Sequence, residues 1–422
     1  MQRRCHPAPY AAIMQTPRHL DLRALLAAVD KASPTSGVDA LAGELAAEVG
    51  ATEVSFLIAD IVGGTLVRLV RTRADGGDVR TAVPADDVAI EGTPAGHALR
   101  RQGVQVVAGP EGTWLFAPVT GRGEAIGVLE LLLPVPPDED VLGYVAAAAH
   151  ALAFVVIADR RHTDLYERGS RSTPLTLEAE IQRHVLPASY TLEAGQFTLG
   201  GWLVPAFEAG GDTFDYALSP TALHLSVTDA MGHGVAAAQL ATLAVASLRS
   251  SRRTGASLQD HARDANAALL RHGRDDQFVT GLLLQVELAT GEVQAVNAGH
   301  VLPLLVRGGA VREVELLADA AFGIEAGTPY RLQRARLEPG DRLVLLTDGM
   351  LERNAAGAEV EALLPSLVDL HPREAVQALT AAVVRSTSGL LLDDATALVL
   401  DWYGAGDVRG VTAGASDDRA SR

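Results

Sequence analysis

The chain has 422 residues, enough for two ordinary cores joined by a connector, and its 48% hydrophobic and 21% charged residues make it globular rather than disordered. A formal net charge of −17 argues against a nucleic-acid or anionic-membrane surface, because such surfaces need clustered Lys and Arg. Cys5 is the only cysteine, which excludes a disulfide framework, a Cys-based zinc site and an internal redox pair, and makes a reducing cytoplasm the expected compartment.

Residues 1–19 are polar and Pro-containing and are expected to be disordered; Met14 offers a second candidate start, and 8–14 is too short for a signal-peptide core. No stretch approaches ~20 uninterrupted apolar residues, so no membrane span is expected. Over 20–159, apolar spacing predicts helices at 22–29 and 38–49 and strands at 53–60, 65–72, 104–107, 113–119 and 125–133, with a short helix at 94–101. Helix, strand pair, short helix, strand pair and closing helix is the order expected of an α+β sensor domain. The segment 138–186 reads as strongly helical, broken near 170–174, and residues 160–190 are taken as a helical connector suited to a dimer contact or to transmission between domains. Over 191–403, strands at 197–203, 221–229, 278–287, 292–298, 302–307, 342–347 and 395–401, with helices at 235–250, 258–270 and 372–386, predict two sheets flanked by helices. The Gly/Ser/Asp-rich 404–422 is expected to be a disordered tail.

Several carboxylates stand at the ends of apolar strands in the second half. They are Asp212 in Gly210-Gly-Asp-Thr-Phe-Asp, Asp229 in Thr228-Asp-Ala-Met-Gly-His-Gly, Asp348 in Leu346-Thr-Asp-Gly-Met, and Asp393 with Asp394 in Leu391-Leu-Asp-Asp-Ala-Thr. A single Asp there is usually a turn former or helix cap. A convergent set is different: unpaired carboxylates repel, and an all-oxygen donor set without Cys suits Mg²⁺ or Mn²⁺.

These segments, with Ile181-Gln…Val185-Leu-Pro, Phe278-Val-Thr, Asn297-Ala-Gly-His-Val-Leu-Pro and Pro339-Gly-Asp-Arg-Leu, resemble in order and spacing the RsbU/SpoIIE-type branch of the PP2C-like (PPM) serine/threonine phosphatases from about 177 to 402. The segment Gly92-Thr-Pro-Ala-Gly-His-Ala-Leu-Arg-Arg and the hairpin from Ala117-Pro-Val to Gly127-Val-Leu-Glu-Leu resemble the GAF family. The resemblance implies an α+β chain: a GAF-like sensor, a helical connector and a C-terminal PP2C-like α/β-β/α sandwich holding two ions of Mn²⁺ or Mg²⁺. It implies Asp212, Asp229, Asp348 and Asp393 as the metal and catalytic positions, Asp229 as the bridge, the Ala230 carbonyl as a further ligand, and Glu352 and Asp394 as outer or weaker candidates. It further implies hydrolysis of phosphoserine or phosphothreonine by metal-bound water, a STAS-domain anti-anti-sigma protein as substrate, and a homodimer.

Other residues are weighed against plainer roles. Asp215 follows Asp212 by an odd interval and should face the opposite way, as a structural hydrogen-bonding group; Thr213 stands where the family more often has an aromatic residue, which touches packing. His233 and His300 lie in Gly-containing turns and read as structural before they read as general acids; Gly232 and Gly234 would turn the chain into the following helix. His97 is the most tempting sensor ligand but reads as an ordinary helix histidine, and the sensor's ligand is not legible; without further Cys, haem-thiolate or covalent bilin attachment there is excluded. Two other readings compete with a phosphatase: a ligand-responsive scaffold with an inactive domain, which a missing carboxylate would favour, and a metallohydrolase of small phosphoesters, which preferential turnover of a metabolite would favour.

Overall fold

In the computed structural model, which describes residues 21–61, 63–73, 87–172, 174–206, 210–273, 277–351, 360–387 and 391–405, the N-terminal half wraps helices around one antiparallel sheet. Helix α1 (Leu22–Lys31) starts where the Asp21 carboxylate accepts the Arg23 N–H at 2.9 Å, and α2 (Gly37–Val49) ends on Gly50 at φ 72°. The strands are β1 (Glu53–Ala59), β2 (Thr65–Arg73), β3 (Val88–Ala89), β4 (Gln105–Gly109), β5 (Gly112–Gly121) and β6 (Glu124–Leu133), ordered β3-β2-β1-β6-β5-β4. Period-two alternation sends Val54, Phe56 and Ile58 into the core under α1, α2 and α4 (Glu139–Asp159). Leu57 faces the opposite side, where α3 (Pro94–Arg101) covers it with Ala95, Ala98 and Leu99.

Helix α4 corrects the membrane reading in one respect. It is long and apolar enough to cross a membrane by length and composition, but Val145, Ala148, Ala149 and Leu152 are fully buried in this core. The chain leaves α4 at Asp159, and only the short α5 (Leu165–Gly169) and α6 (Leu177–Val185) follow before the first strand of the second half.

That half contains β7 (Thr191–Glu193), β8 (Phe197–Val204), β9 (Asp212–Leu218), β10 (Ala222–Ala230), α7 (Gly234–Arg253), α8 (Leu258–His272), β11 (Val279–Glu287), β12 (Glu292–Ala298), β13 (Leu304–Arg307), β14 (Ala310–Glu313), β15 (Gln333–Arg336), β16 (Arg342–Leu346), α9 (Val360–Leu363), α10 (Pro372–Ser386) and β17 (Ala395–Trp402). Two antiparallel sheets, ordered β15-β12-β11-β10-β9 and β14-β13-β16-β17-β8-β7, face each other. Alternation again sorts the layers. Leu282, Leu284, Leu343, Leu345, Leu398 and Leu400 fill the space between the sheets, Leu283 and Val296 pack under α7 and α8, and Val344, Leu346 and Val399 pack under α10. Each large apolar side chain buried in this way contributes about 1.5–3 kcal/mol. The result is the two sheets flanked by helices expected from the spacing of strands and helices, and the α/β-β/α sandwich that the resemblance implies.

The halves touch through polar contacts. In the β5–β6 turn, the Gly123 carbonyl accepts from Arg373 Nη1 at 2.7 Å and the Arg122 carbonyl from the Glu193 N–H at 3.0 Å. Beside them His371 Nε2 meets Glu193 Oε1 at 2.8 Å with both side chains buried. Ser172, beyond α5, donates through its N–H and hydroxyl to Asp60 at 3.0 and 2.9 Å.

Candidate metal centre

Strands β9 and β10 pair with Asp212 directly opposite Asp229. Strand β16 runs out at Leu346 into a 3₁₀ turn, Asp348–Met350, while β17 begins at Ala395 just after Asp393 and Asp394. The Thr347 N–H to Thr396 carbonyl bond at 3.1 Å holds those two chain passages together. The carboxylate-bearing ends of one sheet therefore meet those of the other.

Asp212 is buried, and its Oδ2 accepts the hydroxyls of Thr347 at 2.5 Å and Thr396 at 2.6 Å, a link from one sheet to the other. Burial, then the charges of Asp229 and Asp394, hold its carboxyl well above the usual carboxylate range, although the two hydroxyls pull the other way. Asp229 is only partly exposed; burial, followed by Asp348, Asp393 and Asp394, pushes it up to about 7. Asp348 is exposed at the head of its turn, and Asp393 is half-buried. The turn passes so close to β17 that a Cβ on Gly349 would collide with the Asp394 carbonyl. Gly211 likewise runs beside Ala230: a Cβ there would stand 2.7 Å from the Ala230 carbonyl oxygen.

The structure thus brings Asp212, Asp229, Asp348, Asp393 and the Ala230 backbone to one locality. Among the described residues no three His, Cys, Asp or Glu side chains are gathered into a metal cage. An oxygen-only donor set of this kind, with few protein ligands per ion, fits Mg²⁺ or Mn²⁺, because Mg²⁺ keeps several waters and demands only one or two carboxylates. The raised carboxyls fit as well, since a divalent cation favours the ionised forms that burial, and then mutual repulsion, disfavour.

Asp394 does something other than the outer ligation considered for it. Its Oδ1 accepts the Ala206 N–H at 2.8 Å, and its Oδ2 accepts Gln182 Nε2 at 2.6 Å and the N–H groups of Gly210 at 3.1 Å and Asp212 at 3.4 Å. It is the anchor of the chain entering β9. Gln182, which residue-by-residue reasoning passed over, also donates to the Asp212 carbonyl at 2.8 Å. The available signal was a polar residue on the buried face of α6, between Ala179 and Val185.

The remaining candidates fall into structural places. Asp215 points to α7, where it pairs with Arg249 at 2.8 Å and Arg252 at 3.0 Å, while Phe214 beside it enters the inter-sheet core. The Thr213 hydroxyl pairs with that of Thr228 at 2.5 Å, satisfying a buried polar group where an aromatic residue was expected. His300 is buried, takes a hydrogen bond from the Thr280 hydroxyl at Nδ1 (2.9 Å) and donates from Nε2 to the Leu346 carbonyl (3.1 Å); burial pushes it down to about 4, which keeps it neutral and makes it an inter-sheet strut. His233 is exposed at the N-cap position of α7, and His97 is exposed on α3. Glu352 and Cys5 lie outside the described residues.

With that geometry in place, comparison with known proteins shows what the chain is similar to. Residues 219–403 match the family described as Stage II sporulation protein E (SpoIIE). Over 289 residues the chain is 24% identical to phosphoserine phosphatase RsbU of Bacillus subtilis (strain 168), covering 65% of this chain and 83% of RsbU. The RsbU and RsbW domains of a Mycobacterium tuberculosis protein are similar at 26% identity and TM-score 0.47, covering 52% of this chain and 63% of that one. The PP2C phosphatase domain of Bacillus subtilis SpoIIE, solved with a fragment of its regulatory domain, is similar at 20% identity and TM-score 0.44, covering 50% and 65%. Two other similar structures, each at 16% or lower identity and TM-score 0.40, are RsbX in complex with magnesium and the catalytic domain of the serine threonine protein phosphatase PstP in complex with two manganese ions.

Proposed function

We propose that the chain is a metal-dependent protein serine/threonine phosphatase whose catalytic domain, 191–403, is regulated by a GAF-like sensor at 20–159 through the connector at 160–190, with 1–19 and 404–422 as flanking segments. The observation that carries the reading is the meeting of Asp212 and Asp229, paired across two strands and both raised, with Asp348 and Asp393 from the facing sheet. Asp212, Asp229, Asp348, Asp393 and the Ala230 carbonyl would hold two ions of Mn²⁺ or Mg²⁺. When bound, such ions supply an activated water and neutralise charge on the phosphoryl group. Thr347 and Thr396 fix one oxygen of Asp212, so that its other oxygen is presented in one direction. His300 stays neutral and holds the sheets in register rather than moving a proton.

The substrate in this reading is a phosphoserine or phosphothreonine protein, a STAS-domain anti-anti-sigma factor, acted on in the cytoplasm by a homodimer. The RsbU relationship supports it, as do the carboxylate positions, all of which are filled. The test is Mn²⁺-dependent phosphate release from a phosphoserine STAS-domain protein by the wild type and by Asp229→Asn. Release that needs metal and disappears in the variant is expected. No release by either protein would turn the assignment toward an inactive scaffold or another substrate.

A further inference from the structure

The large apolar side chains of the second half are mostly buried, which makes the exceptions around the carboxylates informative. Met231, two residues after Asp229, is 47% exposed; Val235, in the first turn of α7, is 36%; Leu351, closing the turn that Asp348 opens, is 44%; and Leu392, immediately before Asp393, is 78%. Asp212, paired across the strands with Asp229, accepts the hydroxyls of Thr347 and Thr396, and Gly349 lies against the Asp394 carbonyl, so the three short segments carrying these side chains converge. We propose that together they form an apolar docking rim around the metal centre, and that its occupant is a folded phosphoprotein whose phosphorylated Ser or Thr lies in an apolar, acid-poor patch. The proposal rests on the phosphatase reading above.

Two observations choose that occupant. First, the two cavities described, of about 670 and 440 Å³, are lined by other residues, among them Leu284, Leu305 and Leu343 for the larger and Trp402 for the smaller, and by none of the site carboxylates. Asp348 is exposed and Asp229 and Asp393 are partly so, and a substrate that brings its own surface suits that better than a metabolite needing an enclosing pocket. Second, residues 226–241, 343–351 and 391–400 contain no Lys or Arg, so these segments offer a partner apolar contact and no cation. With several carboxylates at the centre and a chain charge of −17, acidic residues flanking the phosphorylated position would be repelled, whereas neutral or basic ones are accommodated.

The experiment compares wild type, Leu351→Ser/Leu392→Ser and, separately, Met231→Ser/Val235→Ser on two substrates with Mn²⁺: a phosphoserine STAS-domain protein and p-nitrophenyl phosphate. Both variants are expected to raise KM for the phosphoprotein about tenfold or more, with kcat and p-nitrophenyl phosphate turnover within about twofold of wild type. An unchanged phosphoprotein KM in both variants would overturn the rim, as would an equal loss on both substrates. Wild-type turnover of p-nitrophenyl phosphate without turnover of the phosphoprotein would overturn the occupant while leaving the hydrolytic site standing. Turnover of neither substrate removes the phosphatase reading, and the proposal with it.

Discussion

Replacing Gln182 by Ala should loosen the metal centre from a helix that contributes no carboxylate to it. The side chain makes a charge-assisted bond to the buried Asp394 at 2.6 Å and a bond to the Asp212 carbonyl at 2.8 Å. The first is worth about 1.5–3 kcal/mol, and stranding a buried carbonyl adds about 1–3, so a loss of about 3–4 kcal/mol is expected. For a domain of this size, that lowers Tm by about 10 °C. Asp394 also anchors the N–H groups of Ala206, Gly210 and Asp212, so the same change should weaken metal binding, by about tenfold or more on the scale seen for residues that orient metal ligands. Gln182→Glu should be worse than Ala at neutral pH, because it sets a second carboxylate against Asp394 in a buried place. Thermal unfolding read by circular dichroism, with Mn²⁺ titrated calorimetrically into each variant, measures both effects. A Gln182→Ala protein melting within about 2 °C of wild type, with unchanged Mn²⁺ affinity, would refute the reasoning.

Asp229→Asn should abolish metal-dependent phosphate release yet raise the Tm of chelator-treated protein at pH 7.5, because the amide removes a charge that burial and three carboxylates disfavour; a lower Tm in chelator would contradict this. His300 titrates in the fold near 4 against about 6.5 in the unfolded chain, so its contribution is present above about pH 6.5 and is lost as pH falls from 6.5 toward 4, about 3 kcal/mol in all. The Tm difference between wild type and His300→Gln should shrink by that amount over the interval, and a pH-independent difference would tell against it. Glu193→Ala removes the 2.8 Å partner of His371 Nε2 from a buried pair within the second half; a loss of about 2 kcal/mol in calorimetry is expected, and an unshifted transition would argue that the pair adds nothing to stability.

The layers of the second half were legible because alternation is local. Leu343 and Leu345 against Val344 and Leu346 can be read straight along the strand, and so can carboxylates standing where apolar runs stop. Strand β9 was harder: Asp212-Thr-Phe-Asp-Tyr-Ala-Leu carries two acids, one bound for the inter-sheet side and one for Arg249 and Arg252 on α7, and nothing within seven residues says which is which except their odd spacing. The break after Gly169 was legible in the Gly, Ser, Thr and Pro at 169–174, whereas the end of α4 at Asp159 falls in a charged stretch with no Gly or Pro to mark it.

Gln182 shows where local reading stops. Its partner Asp394 lies 212 residues away, and an amide on an apolar helix face says only that some buried group awaits it. Neighbouring Asp393 and Asp394 likewise look equivalent in sequence, yet one carboxylate is surrounded by four N–H donors, three of them backbone, while the other is left half-buried toward Asp229. What separates them is that the amides of Ala206, Gly210 and Asp212 are gathered on a single carboxylate. The helix that pins Asp394 is the one through which the chain arrives from the N-terminal half, so a displacement of α6 would reach Asp212 through two hydrogen bonds.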